Sequence, residues 1–292
     1  MKVSGFTFIK NAVQFDYPVI ESIRSILPLC DEMVVAVGDS SDNTRELISA
    51  IDSDKIRIID TIWNPKLREG GAVLADETNK AYQAITENVD WCFYIQGDEI
   101  VHEKYLSVIR EGMERWKDDL AVEGLLFKYK HFYGSFDYVA TSSKWYRNEI
   151  RIIRKNAEFF SYRDAQGFRK LGDEKLKVKK LDAEIYHYGW VRPPVTMMDK
   201  KRNFGNYWGG DRVTEAFNKE NSGAFDYSQI DALEIFKGIH PMVMKDRIAK
   251  MNWKFDYDLS YNNLTLKDYF KNLMEKWTGM RPFDYRNYIL LK

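Results

Sequence analysis

Apolar residues in the first hundred positions change period several times, and each change predicts an element. Lys2 to Ile9 reads as a short strand, and after a polar break at Lys10-Asn11 the residues Val19, Ile20, Ile23, Ile26 and Leu27 fall on one helical face. Glu32 to Val37 is an almost continuous apolar run, the pattern of a strand buried on both faces. Gly38 to Asn43 holds residues that satisfy their own backbone and cap helices, and Thr44 to Ile51 then has helical spacing. Lys55 to Asp60 is a third strand. A loop through Trp63, Pro65 and Gly70-Gly71 leads to a helix over about Val73 to Glu87, and Trp91 to Ile95 is a fourth strand. Strands alternating with helices predict an α/β fold around a mostly parallel, Rossmann-like sheet flanked by helices. Ligands of such sheets bind beyond the carboxyl ends of the strands, which is where Lys10-Asn11, Asp39 to Asn43 and Gln96 to Glu99 fall.

The second half changes character. Gly124 to Phe132, Ile150 to Arg154 and Lys177 to His187 read as strands with aromatic and basic residues between them. From about Asp199 the chain is polar, aromatic and helical in pattern, with breaks at Gly209-Gly210, Gly238 to Pro241 and Gly279 to Pro282. No repeat, low-complexity linker or sharp domain boundary interrupts it.

Composition narrows the function. The 292 residues allow a substantial core. The 44 lysines and arginines balance 44 aspartates and glutamates, which removes the bulk electrostatic case for a nucleic-acid binder, so an anionic ligand must be held by local arrangement. Cys30 and Cys92 sit in apolar runs and read as buried free thiols of a reducing compartment. No apolar run approaches the ~20 residues of a membrane helix, and the N-terminus lacks a signal peptide's apolar segment, so the expectation is a cytoplasmic protein.

Three clusters carry candidate chemistry. Asp98 and Glu99 follow a buried strand directly and could share a diphosphate and a hard cation, although a solvated turn or helix cap would use the same residues. Asp39, at the end of the second strand, could accept hydrogen bonds from a base or ribose, with Asp42 and Thr44 better read as capping residues. His187 lies in an aromatic strand where packing is the ordinary role of a lone histidine, and nearby Arg192 could meet a phosphate.

The order strand, Lys10-Asn11, helix, strand, Gly-Asp-Ser-Ser-Asp-Asn-Thr, strand, Arg68, Asn79, and an apolar strand closing on Gln96-Gly97-Asp98-Glu99 resembles family 2 glycosyltransferases of the GT-A fold. Those enzymes carry Asp-x-Asp after the fourth strand. Here Gln96 replaces the first Asp, and Asp98 keeps the second. The resemblance covers about residues 1–105, and His131 to Ser135, Trp145 to Glu149 and His187 to Trp190 resemble a bacterial branch of the family. It implies that Asp39 contacts the base, that Thr7, Asn11, Arg68 and Asn79 lie beside the nucleotide, and that Asp98 holds Mn²⁺ or Mg²⁺ through the diphosphate of a nucleotide-sugar donor. His187 would complete the metal site. Inversion of configuration calls for one general base from the acceptor side: Asp164 first, then Glu149 and Asp173. The implied layout is a catalytic domain over 1–195, with a nucleotide-binding half at 1–105 and an acceptor half at 106–195. A helical, aromatic-rich extension over 196–292 would pack on it.

Two other functions are compatible with the pattern. A sugar nucleotidyltransferase would place a Gly-rich basic loop after the first strand, where this chain has Thr7 to Ala12 without glycines; a non-catalytic nucleotide- or carbohydrate-binding scaffold is permitted by Gln96. Neither G-x-G-x-x-G nor a P-loop is present. The acceptor could be a glycan, a lipid-linked sugar or a protein. The C-terminal aromatics among lysines and arginines suit packing against the catalytic domain or, as the lesser alternative, peripheral contact with the inner face of a membrane.

Overall fold

A computed structural model of the chain describes residues 1–209, 223–261, 263–278 and 285–292. The breaks expected at Gly210 and at Gly279 to Pro282 lie outside the described residues.

The opening elements follow the apolar periods closely: β1 (Val3–Ile9), α1 (Val19–Ile26), β2 (Glu32–Gly38), α2 (Thr44–Ser49), β3 (Ile56–Thr61), α3 (Ala72–Gln83) and β4 (Trp91–Tyr94). Strands β3, β2, β1 and β4 lie side by side in that order and run parallel. Alternation within β2 explains its unbroken apolar run. Met33, Val35 and Val37 face the cluster under α1, while Val34 and Ala36 face the cluster under α3. Because β1 is followed by β2 on one side and β4 lies on the other, the chain reverses its winding at β1, and a crevice opens at the carboxyl ends.

Beyond β4 the sheet becomes mixed. The chain continues through β5 (Glu99–Val101), α4 (Leu106–Trp116), β6 (Gly124–Tyr133), β7 (Tyr138–Ala140), β8 (Asn148–Ile153), β9 (Phe159–Tyr162), β10 (Gly167–Lys170) and β11 (Glu174–Trp190). Strand β8 pairs antiparallel with both β4 and β6, and the 17-residue β11 runs parallel to β6. The other edge of β11 takes β5 over Ile185–His187, which lays His187 opposite Glu99. The architecture is therefore an α/β protein with a curled central sheet and helices on its faces, parallel in its first half and mixed in its second.

After α5 (Pro194–Trp208) come β12 (Leu233–Ile235), α6 (Lys245–Ala249), α7 (Leu266–Thr278) and β13 (Tyr288–Leu290). The C-terminal part contributes strands as well as helices: β12 pairs with β7, and β13 extends the main sheet beside β11. Both cysteines are free and buried. Among the described residues no helix is long and apolar enough to cross a membrane.

Candidate active site

A cavity of about 510 Å³ occupies the crevice, within the range of small-molecule sites. Lys10 and Trp63 line one side, Asp98 and His187 the floor, Lys200 the α5 side and Asp164 the far wall. Helix α5 is drawn over it by the loop before α3. The amide of Gly71 donates to the Tyr207 carbonyl at 2.9 Å, and Arg68 Nε reaches the Asn206 carbonyl at 3.4 Å. Gly71 has φ 72°, and a Cβ there would come within 2.7 Å of the Asp164 Cβ, so both backbone and space favour glycine.

Asp98 and Glu99, adjacent in sequence, have opposite fates. Glu99 opens β5, points into the protein and is fully buried. Arg151 grips both its oxygens at 2.8 and 2.7 Å, and the Tyr129 hydroxyl donates to it at 2.7 Å. Its oxygens are thus engaged by Arg151 and Tyr129 inside the protein, away from the Asp98 carboxylate. The Asp98 carboxylate faces the cavity, with Lys200 Nζ 3.2 Å from Oδ2 and His187 Nε2 3.8 Å from Oδ1. Burial opposes its charge, but the neighbouring cations, Lys200 first and then Arg192, outweigh burial and hold the Asp98 pKa down at about 2.

The imidazole orientation is set by a second histidine. His131 Nε2 lies 2.7 Å from the Tyr146 carbonyl, which can only accept, so His131 carries its proton there. Its Nδ1 therefore offers a lone pair, and His187 Nδ1, 3.0 Å away, must donate to it. Burial lowers the pKa of both rings and keeps them neutral. His187 Nε2 is left as a lone pair facing Asp98, the tautomer that a metal ligand or a base needs. The space is kept clear by Gly189, where a Cβ would stand 2.6 Å from His187 Nε2 and 3.0 Å from Asp98 Oδ2.

The cations beside Asp98 are unusual. Burial and neighbouring Arg192 depress the Lys200 pKa to about 7 despite Asp98. Arg192 is completely buried, its guanidinium lies 4.8 Å from the Tyr17 ring centroid, and Nε and both terminal nitrogens have no hydrogen-bond partner among the described residues.

The sequence-predicted residues divide. Asp98, His187 and Asp164 line the cavity together. Asp39 stands at its rim, half-exposed and 2.6 Å from Lys10 Nζ, whose ammonium outweighs burial and lowers the carboxyl pKa. Arg68 braces α5 over the cavity. Asn11, at φ 52°, spends its side chain on the Ser41 amide at 2.8 Å and so shapes the loop before α2. Asn79 clamps β9, donating to the Ser161 carbonyl at 3.0 Å and accepting from its amide at 2.7 Å; Thr7 is fully buried in β1. Neither lines the cavity. Glu149 lies behind the wall, accepting from Asn287 Nδ2 at 2.9 Å, with burial pushing its pKa up to about 8. Asp173 makes a surface ion pair with Arg169. Asp164 tops the β9–β10 hairpin between Arg163 and Ala165, both at positive φ, so backbone strain is concentrated around it, and burial raises its pKa. Gln96 donates to the Ala165 carbonyl at 3.2 Å and ties that hairpin to the end of β4.

The donor set can be tested against a divalent ion. Among the described residues no group of three His, Cys, Asp or Glu side chains converges. Asp98 Oδ1 and His187 Nε2 are 3.8 Å apart, less than twice a metal–ligand bond of about 2.1 Å, so one ion can touch both. Two protein ligands suit an ion that takes its remaining ligands from a phosphate and water. The fit is to a shared ion, not to a closed structural site.

Lys200 and Tyr17 were not singled out by the sequence, and His131 and Trp63 were noted only within a resembling motif and a loop, without a role. His131 had a weak signal as a polar residue in an aromatic run, whereas Lys200 had none among its charged neighbours Asp199, Lys201 and Arg202. Tyr17 and Trp63 had none.

No protein-family model matches the chain, and no curated protein matches it in sequence. Solved structures show partial similarity. One is Staphylococcus aureus TarS in complex with UDP, at 15% identity, over 75% of this chain and 71% of that one, TM-score 0.39. Another is glucosyl-3-phosphoglycerate synthase from Mycobacterium tuberculosis in complex with Mn²⁺, UDP and phosphoglyceric acid, at 23% identity, over 45% and 43%, TM-score 0.29. A third is 4-diphosphocytidyl-2C-methyl-D-erythritolsynthase from Anaerococcus prevotii, at 9% identity, over 53% and 71%, TM-score 0.35.

Proposed function

We propose that this chain is an inverting glycosyltransferase that moves a sugar from a nucleoside-diphosphate sugar to an acceptor hydroxyl. The observation that carries the reading is the crossing of a neutral histidine lone pair, a charged Asp98 and two buried cations at the end of β4, in a cavity with an aromatic side and a carboxylate wall. Phe8, Trp63 and Tyr207 form a ring cluster beside Lys10 and Asp39, suited to a base and ribose. Strands β2 and β4 flank β1, so Asp39 and Asp98 stand about 10 Å apart by strand spacing, a span that a nucleoside diphosphate bridges. Residues 1–105 supply this donor side. Residues 106–195, with α5 from the start of the C-terminal extension, supply the rest.

Asp98 and His187 would hold Mn²⁺ or Mg²⁺, which when bound supplies Lewis-acid stabilisation of the departing diphosphate. Lys200, which lines the cavity, would add positive charge on the same oxygens once an anion restores its proton, with Arg192 buried beside Asp98. Asp164 takes the proton from the acceptor hydroxyl as its oxygen bonds to the anomeric carbon and the bond from that carbon to the diphosphate breaks. Burial raises its pKa above the ordinary carboxyl value, which strengthens it as a base. Gln96 and the strained hairpin hold Asp164 in place.

Calorimetric titration of UDP, GDP and dTDP, each with and without Mn²⁺, on the wild type and Asp98→Ala tests this directly. One nucleotide should bind in a manner that needs both the ion and Asp98. Absence of binding by all three would favour a scaffold function instead.

A further inference from the structure

Helix α7 is mounted with its polarity reversed. Its polar side faces the protein: Asp268 and Lys271 are each only 7% exposed, Asp268 accepts from the Ser143 hydroxyl, and Glu275 lies 3.6 Å from Arg147 Nε. The outward side is apolar. Leu266, Phe270, Leu273 and Trp277 are 90%, 52%, 51% and 81% exposed, and their spacing of four, three and four residues puts them in one stripe. At about 100° per residue Lys267 and Lys276 fall on opposite flanks of that stripe, and both are exposed. The helix's acidic residues, Asp268 and Glu275, are both on the inward side, so the outward half carries lysine alone.

We propose that this face of α7 is a docking surface for an anionic lipid bilayer. A contiguous exposed apolar row of this size marks an interaction site rather than ordinary surface. The flanking charge decides which kind. Lysines on both edges can lay their stems along the apolar stripe and raise their ammonium groups to phosphate headgroups, while leucine and aromatic rings enter the acyl boundary. The inward hydrogen bonds hold the helix against residues 141–147, so the stripe is presented by a fixed support. The same segment contains Tyr146, which lines the cavity and whose carbonyl orients His131. Docking through α7 would bring the cavity's acceptor side to the bilayer. Resting on the glycosyltransferase reading, this makes the acceptor a lipid-linked hydroxyl.

Co-flotation with vesicles tests the surface without any activity. The full chain should float with phosphatidylcholine vesicles in which phosphatidylglycerol is about a third of the lipid, less so at high salt, and not with pure phosphatidylcholine. Phe270→Glu combined with Trp277→Glu should abolish flotation, and Lys267→Glu with Lys276→Glu should weaken it at least about tenfold. Unchanged UDP calorimetry and thermal unfolding would show both variants folded. The proposal is overturned if the wild type stays at the bottom with anionic vesicles, or if the Phe270/Trp277 variant floats like the wild type. It is also overturned if light scattering finds a dimer that this variant dissociates while vesicles bind neither protein. Flotation without nucleotide binding would leave the bilayer surface standing and sink the glycosyltransferase reading.

Discussion

The two ends of the cavity are built by different means. At the β1–β3 end, Lys10 and Asp39 sit directly after their strands, Asp39 half-exposed and Lys10 partly so, and neutralise each other across a 2.6 Å contact. At the β4 end, Asp98 meets His187, Arg192 and Lys200, which come from about ninety to a hundred residues later, and all four are nearly or wholly buried. Solvated charges near a strand end can be rearranged at little cost. Desolvated ones shift each other's protonation and must be placed together by the fold. On the proposed function, the β4 end is accordingly where the chemistry would be done, and the other end where the ligand would be recognised.

The sharpest way to break this contrast is to compare two neutralised carboxylates. Asp98→Asn should weaken ion-dependent nucleotide binding at least about a hundredfold, whereas Asp39→Asn should cost about tenfold or less, by calorimetry. Equal losses would mean that the two ends are not different in kind.

A large effect of another sort is expected just behind Asp98. Arg151→Ala leaves Glu99 buried and unpaired, and should cost about 3–5 kcal/mol in denaturant unfolding. Lys10→Ala, removing a half-exposed pair, should cost less than about 1 kcal/mol.

Glu149 offers a pH test of the buried side. Its folded pKa, near 8, lies above the unfolded carboxyl value, so the protonated form is the one the fold favours. The stability it contributes is complete below the unfolded pKa and is lost as pH rises towards 8. Glu149→Gln should therefore flatten the decline of stability between about pH 4.5 and 8, by a few kcal/mol in unfolding titrations. A wild-type profile already flat over that window would remove the buried-acid description.

The most specific effect is expected at His131. His131→Gln should leave the fold intact but let His187 change tautomer, visible in long-range ¹H–¹⁵N spectra of the metal-free protein, and weaken Mn²⁺ binding with nucleotide about 10- to 100-fold. An unchanged His187 spectrum would reduce His131 to packing.

Much of the frame was legible beforehand. The doubly buried run of β2 announced itself through Met33 to Val37, and Asp98 through its place after Trp91 to Tyr94. Asp164 and His187 also came out lining the cavity, and Asp39 stands beside Lys10, which lines it. Asn79 and Thr7 did not, because a residue's place in a motif does not say which backbone group its side chain will satisfy. Glu99 misled as a neighbour of Asp98, because successive residues entering a strand point to opposite sides.

The sequence by itself determined the alternation of strands and helices, hence where strands end and which polar groups stand there, since periods of 2 and 3.6 are properties of a local stretch. Only the tertiary structure decided which carboxylate faces the cavity, which nitrogen of His187 carries the proton, that Arg192 is buried beside Asp98, and that α7 turns its apolar side outward. Each of these depends on desolvation and hydrogen bonding between residues far apart in the chain, and neither quantity exists until the chain has folded.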